Sequence, residues 1–267
     1  MPLPALNDHQ YLESQYRDSA NLDARVLLHR RFSVNPYGWF PWVFDHFNLP
    51  PHARILELGS GTGSLWLENT IRIPAGWEIT LSDFSAGMLE ETRRNLETHH
   101  QFRYKVIDAQ SIPLESGSFD AVIANHMLYH VPDRTTALAE IRRVLKPDGI
   151  FFASTGGDRH LIELGDLLAR FDPGFTSWNK VNSFNLENGF AQLSACFTRI
   201  KIYRYEDALE VTEVAALVDY LLSGRVHLSA ERKAAFREFV AREMEARGGV
   251  FHVTKDSGLF VSVPKGE

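Results

Sequence analysis

Residues 53–63 constrain this chain more than any other stretch. Ile55, Leu56 and Leu58 form a short apolar run with little alternation, which predicts a parallel strand buried on both faces. Gly59, Gly61 and Gly63 follow at every second position, the mark of a tight turn where backbone approaches a ligand too closely for any Cβ. Ser64-Leu65-Trp66-Leu67 then opens a helix whose N-terminal amides point at the same place. The spacing separates this loop from the dinucleotide fingerprint G-x-G-x-x-G: the third glycine comes one residue early and Ser64 stands where it should be.

The next strands place acids at their ends. Glu78 to Ser82 reads as a second strand ending at Asp83, 20 residues after Gly63. A carboxylate there can accept hydrogen bonds from both hydroxyls of a ribose; the competing reading is a cap for the helix that starts near Ser85. Phe102 to Ile107 reads as a third strand ending at Asp108-Ala109, where Asp108 can accept from an adenine amino group. Ser118 to Ala124 reads as a fourth strand, followed by Asn125, His126, Tyr129 and His130. Asp133 caps a helix over 134–145 with one apolar stripe, Ala137, Leu138, Ile141, Val144 and Leu145, and Phe151 to Ser154 is a buried fifth strand.

These stretches together resemble one family. Glu57-Leu58-Gly59-Ser60-Gly61-Thr62-Gly63, Asp83 with Met88, Asp108-Ala109, Phe119-Asp120-Ala121-Val122, Leu128-Tyr129-His130-Val131-Pro132-Asp133 and Lys146-Pro147-Asp148-Gly149 look like the core of the UbiE-like (type 11) class I methyltransferases, over roughly 53–155. The resemblance implies an α/β fold with a Rossmann-like seven-stranded, mostly parallel sheet and helices on both faces. It also implies S-adenosyl-L-methionine (SAM) as cofactor. Carried onto this sequence, Glu57, Gly59, Ser60, Gly61 and Gly63 would hold the methionine end and Asp83 the ribose. Phe84, Met88, Asp108 and Ala109 would surround the nucleoside, with Asn125 beside the sulfonium. Ser60 stands where the family often has an acid or a cysteine.

Outside the core, residues 1–50 read as an N-terminal helical lid segment ahead of a domain over 51–267. Asn35-Pro36 suits a helix start, and that helix carries Trp39, Phe40, Trp42, Val43, Phe44 and Phe47. Such a row is foremost a packing face; Tyr11, Tyr16, Arg31, Tyr37 and Trp39 are candidates for acceptor contacts from the lid. Past Thr155 the expectations are a helix over 160–171, another from Leu186 to Phe197, and a sixth strand over 198–205. A helical insertion at about 206–248 follows, with Thr212 and Ser229 as caps. Phe251–Thr254 and Leu259–Val263 would pair as two strands across a turn at Lys255-Asp256-Ser257-Gly258. The lid and the insertion would form a cap over the sheet's carboxyl edge.

The bulk composition narrows the partners. With 28 basic and 34 acidic residues the net charge is −6, against a general nucleic-acid surface. A single cysteine, Cys196, excludes an intramolecular disulfide and a cysteine-rich zinc site, and the 11 histidines show no metal-binding spacing, so no metal is expected. Met1-Pro2-Leu3-Pro4 shows no signal peptide and no stretch is long enough to span a bilayer, which leads to a soluble, cytoplasmic expectation.

The expected chemistry is methyl transfer to a small-molecule acceptor, which needs positioning and at most a base. His126 and His130 follow the fourth strand and are the first candidates for that base; His29 and Tyr129 are others, and Tyr129 is also an acceptor contact. Turn stabilisation by His130 and a pocket-wall role for His126 compete with these assignments. A SAM-binding protein without catalysis, and an NAD-dependent oxidoreductase, are the alternatives.

Overall fold

The computed structural model describes residues 20–97, 101–175, 183–223, 226 and 228–266, with the backbone alone for 20–25. Two helices, α1 (Ala20–Phe32) and α2 (Trp39–Phe44), precede β1 (Arg54–Leu58), α3 (Ser64–Leu67), β2 (Glu78–Asp83), α4 (Ala86–Asn95) and β3 (Phe102–Val106). β4 (Phe119–Asn125), α5 (Arg134–Val144), β5 (Leu145–Gly156), α6 (Ile162–Phe171) and α7 (Gly189–Leu193) follow. The chain closes with β6 (Phe197–Val211), α8 (Val214–Leu222), α9 (Ala230–Glu245) and β7 (Phe251–Pro264).

The strands form a seven-stranded sheet in the order β3-β2-β1-β4-β5-β7-β6. β1 to β5 are mutually parallel, and β7 lies antiparallel between β5 and β6. The expected mostly parallel sheet is therefore present. From β1 the chain builds outward to β3 and then returns to β4 on the other side. The crevice beyond the carboxyl ends of β1 and β4 is thus the switch point where open α/β sheets bind ligands.

Both faces of the sheet are covered. On one, the buried stripe of α5 (Ala137, Leu138, Ile141 and Val144) packs against Leu56, Leu58, Val122 and Phe151. On the other, Val43, Phe44 and Phe47 lie with Leu65, Trp66, Ile79 and Leu81, so these aromatics of the N-terminal segment are core. A third apolar cluster joins α1, α6, α8 and α9 to the outer ends of β6 and β7 through Leu28, Leu164, Leu209, Leu217, Phe236 and Val253.

Several local expectations fail for tertiary reasons. Lys255 to Gly258 is no turn: β7 continues through it, paired residue for residue with β6, Lys255 opposite Asp207 and Ser257 opposite Tyr205. Lys255 pairs with Asp207 and Asp256 with Arg204, so cross-strand charge pairing offsets the local turn preference. β6 likewise runs on to Val211, and the helical part of the insertion is confined to α8 and α9. The helix expected from Leu186 to Phe197 shrinks to α7, whose Gly189 packs so closely that a Cβ would come 2.7 Å from the Phe260 ring. α2 starts at Trp39 after Gly38 (φ 85°), not at Asn35. Asn35 instead accepts from the Tyr37 amide and donates to the Glu206 carbonyl, tying the segment to β6. Glu213, not Thr212, holds the N-cap position of α8, without a side-chain bond, whereas Ser229 and Asp133 cap as expected.

Candidate active site

The glycine turn is shaped by its three positive φ angles, 70° at Gly59, 59° at Gly61 and 78° at Gly63. That is the left-handed region, where a Cβ is costly. A Cβ on Gly59 would also meet Met127 Cβ at 2.9 Å, and one on Gly63 would meet Thr92 and Leu96 at 3.0 Å. The inner face of α4 holds the turn: Thr92 donates to the Gly61 carbonyl (2.5 Å) and Asn95 to the Thr62 carbonyl (2.9 Å). Ser60 donates its amide to the Ser82 carbonyl at 2.8 Å, binding the turn to β2.

Two carboxylates stand behind this loop. Glu57 is buried and accepts from the Trp66 indole at 2.6 Å. Burial pushes its carboxyl up to about 8, with the charge of Asp83 adding to the rise. Asp83, at the end of β2, accepts from the Gly61 amide (3.0 Å) and the Ser85 amide (2.9 Å), and burial raises it to about 6. The competing cap role falls to Ser85, whose hydroxyl accepts from the Met88 amide at 3.2 Å. Asp108, beyond β3, accepts from the amide and side chain of Gln110.

The end of β4 carries the next groups. His126 sits at φ 52°, an uncommon value for a residue with a Cβ, and its amide donates to the Ser154 hydroxyl (3.0 Å) and carbonyl (3.2 Å). The same hydroxyl donates to Asn125 Oδ1, so β5 orients both residues. The His126 ring lies 5.0 Å from Trp39 and 6.4 Å from Tyr129, centroid to centroid. Burial, then the charge of Lys255, lower its pKa to about 4, so it is uncharged at neutral pH.

All of this opens on one cavity of about 1210 Å³. Glu57, Gly59, Ser60, Gly61, Asp83, Phe84, Asp108, Ala109 and Asn125 line it, as do His126, Tyr129, His130, Tyr37 and Trp39. Two expected cofactor residues do not: Gly63 turns inward against α4, and Met88 is buried beneath the loop. Both shape the wall from behind. Arg31 is also away from the cavity, paired with Glu213 on the surface, and Tyr11 and Tyr16 lie outside the described residues.

The far side of the cavity brings one sequence candidate, His29, together with His160 and Lys255, which sequence reasoning missed. His29 of α1 lines it, its ring 6.3 Å from His160, which follows β5. His160 Nδ1 is 3.2 Å from the Ser257 hydroxyl. Lys255 reaches in from β7, buried, and pairs with the fully buried Asp207. Asp207 also accepts from the Ser33 hydroxyl and the Asn35 amide, pinning the segment before α2 to the sheet. Burial dominates the lowering of His29, to about 3, and of His160, with Lys255 adding to both. The strand-end rule that picked Asp83 could have picked Gly157 to His160 after β5. Lys255 had no such signal, because β7 runs the opposite way.

Residues 56–153 match a family profile described as a methyltransferase domain. A malonyl-[acyl-carrier protein] O-methyltransferase of Geobacter sulfurreducens is 38% identical over 112 residues, spanning 42% of each chain. A ubiquinone/menaquinone biosynthesis C-methyltransferase, UbiE, of Citrifermentans bemidjiense is 34% identical over 127 residues, 46% of this chain and 54% of that one. The chain thus spans about half the length of these two relatives. A solved Haemonchus contortus phosphoethanolamine N-methyltransferase 2, in complex with S-adenosyl-L-methionine, superposes with a TM-score of 0.61 at 19% identity, over 98% of this chain and 60% of that one. At that identity the likeness speaks for the fold alone.

Proposed function

We propose that this chain, whose residues 56–153 match a methyltransferase-domain profile, is a class I methyltransferase of the UbiE-like, type 11 family and transfers the methyl group of SAM to a small-molecule acceptor. The observation that carries this reading is the pairing of the Gly59–Gly63 turn with Asp83, whose carboxylate is bonded to the Gly61 amide on the wall of a large cavity. The residues suit the cofactor. A Cβ at Gly59 would meet Met127 at 2.9 Å, so the turn depends on its bare backbone, and Asp83 and Asp108 line the cavity beside it, where ribose hydroxyls and an adenine amino group can donate to them. SAM, when bound, supplies an electrophilic methyl group on a cationic sulfur.

The chain's own residues then have separate tasks in this reading. Asp83 holds ribose hydroxyls, Asp108 and Ala109 border the base, and the turn's backbone receives the amino-acid end. Asn125, oriented by Ser154, and His126 stand at the carboxyl end of β4, between this half and the acceptor half. Trp39 and Tyr37, which follow the segment that Asp207 ties to β6, border the acceptor side of the cavity. Neutral His126 can receive a proton, with Tyr129 and His130 beside it. A cavity of about 1210 Å³ exceeds the usual single-ligand range, roughly 300–1,000 Å³, and so has room for cofactor and acceptor together.

The acceptor is proposed to be a small molecule rather than a nucleic acid, in keeping with the net charge of −6. The cytoplasm is the proposed location, checked by fractionating the producing cells. The first test of function is calorimetric titration with SAM and, separately, with NAD. Micromolar binding of SAM alone is expected; binding of NAD, or of neither, would overturn the cofactor assignment.

A further inference from the structure

The titratable groups around the cavity are sorted by sheet order. Asp108, Asp83 and Glu57 stand at β3, β2 and β1, whereas His126, His160 and Lys255 stand at β4, β5 and β7, joined by His29 from α1. We propose that this second half is an acceptor subsite for a small aromatic acid, its carboxylate held by Lys255 with His29 and His126, and bound together with one proton. The proposal rests on the methyl-transfer reading above and names the chemical class of its acceptor.

Each carboxylate that faces this half already has a partner. Asp207 of β6 takes Lys255, Ser33 and Asn35. Asp256 takes Arg204, and Asp158 accepts from the Asn185 side chain at 2.6 Å. Arg30, next to His29 on α1, turns to the rim, where its charge acts on Glu68. Around the imidazoles themselves stand Lys255 from β7, His160 after β5, His130 after β4, and Tyr205 and Tyr220 from β6 and α8. The set therefore holds one buried cation, Lys255, beside three imidazoles that burial keeps uncharged, His29, His126 and His160. Two buried nitrogens, His29 Nδ1 and Trp39 Nε1, have no hydrogen-bond partner among the described residues, where such groups are normally paired.

A neutral acceptor would leave that arrangement as it is. An anion changes it twice. Lysine has three donors and Asp207 accepts one of them here, which leaves donors for a carboxylate. The new negative charge also favours the imidazolium form that burial and Lys255 suppress. An acceptor arriving as a carboxylate, moreover, presents an oxygen that needs no base. The walls suit an aromatic body: the Trp39 ring lies 5.3 Å from Tyr205 and 5.0 Å from His126, and Tyr220 is edge-on to His29.

The test is calorimetric titration of the full chain, loaded with S-adenosylhomocysteine, with benzoate and with its neutral isostere benzamide. Running it in phosphate and in Tris reads proton uptake from the difference in apparent enthalpy. Benzoate is expected to bind at least about tenfold tighter than benzamide, with proton uptake and an affinity that falls by up to about tenfold per pH unit between about pH 6 and about pH 8. In the variant carrying His29→Gln and His126→Gln the uptake disappears while S-adenosylhomocysteine still binds; should that variant not fold, His29→Gln alone must lower the uptake. No benzoate binding, equal binding of benzamide, or benzoate binding without proton uptake overturns the proposal. If S-adenosylhomocysteine itself does not bind, the methyl-transfer reading fails, and the same two titrations on the free chain still decide the subsite.

Discussion

An alanine at Gly59 would combine a strained positive φ with a methyl carbon 2.9 Å from Met127 Cβ, so the turn would have to open. Strain of this kind costs about 1–3 kcal/mol. Gly59→Ala is therefore expected to weaken SAM binding by about tenfold or more while the chain stays folded, read by calorimetry alongside a thermal melt. Asp83→Asn keeps the shape but loses one acceptor oxygen and the charge. Its expected effect is an affinity lower by about tenfold to a hundredfold, corresponding to about 1.5–3 kcal/mol for hydrogen bonds to a charged group. Unchanged SAM affinity in Asp83→Asn would remove the ribose assignment. His126→Gln, by contrast, should leave SAM affinity alone and slow turnover; equal turnover would mean that positioning suffices. These residues were legible in the sequence because a glycine turn and strand-end acids are local signals of fixed spacing. Thr92 and Trp66 were not legible as partners of Gly61 and Glu57, since helix positions carry no mark of what they face.

At the scale of elements, the segment bordering the cavity depends on one buried carboxylate. Asp207 gathers Ser33, Asn35 and Lys255, and Ser33 and Val34 further bond to β6 through the bridge to Leu209 and the Ala208 carbonyl. Removing Asp207 leaves Lys255 buried without a counter-charge, which typically costs about 3–5 kcal/mol. Asp207→Ala should accordingly lower unfolding free energy by that amount in urea titrations. The double variant Asp207→Leu with Lys255→Met should recover much of the loss, because apolar groups then replace both charges. A double variant as unstable as the single one would show that the bonds to Ser33 and Asn35 carry the effect. β7 makes the complementary point. Read alone, Lys255-Asp256-Ser257-Gly258 is a turn; beside β6 the same residues are a ladder, because their charges find partners across the strands.

For the whole molecule, the two halves of the cavity pull stability in opposite directions with pH. His29 and His126 have folded pKa values of about 3 and about 4, below the ordinary 6.5, so their contribution is complete above 6.5 and is lost as pH falls toward 4. His160 acts in the same sense. Asp83 and Glu57 have folded values raised to about 6 and about 8, so the folded chain keeps protons that the unfolded chain has released, and stability falls as pH rises through that range. Each group contributes a slope of about 1.4 kcal/mol per pH unit within its own window. Thermal melts of the free chain should thus peak near pH 6.5, the acid limb flattening in His29→Gln and the alkaline limb in Glu57→Gln. The sequence by itself determined the sheet's parallel core, the glycine turn and its acids, because these depend on spacing along one strand and the turn that follows it. Only the tertiary structure decided the basic half of the cavity. Its His29, His126, His160 and Lys255 come from an N-terminal helix, two strand ends and an antiparallel strand far apart in the chain, and no local pattern encodes their meeting.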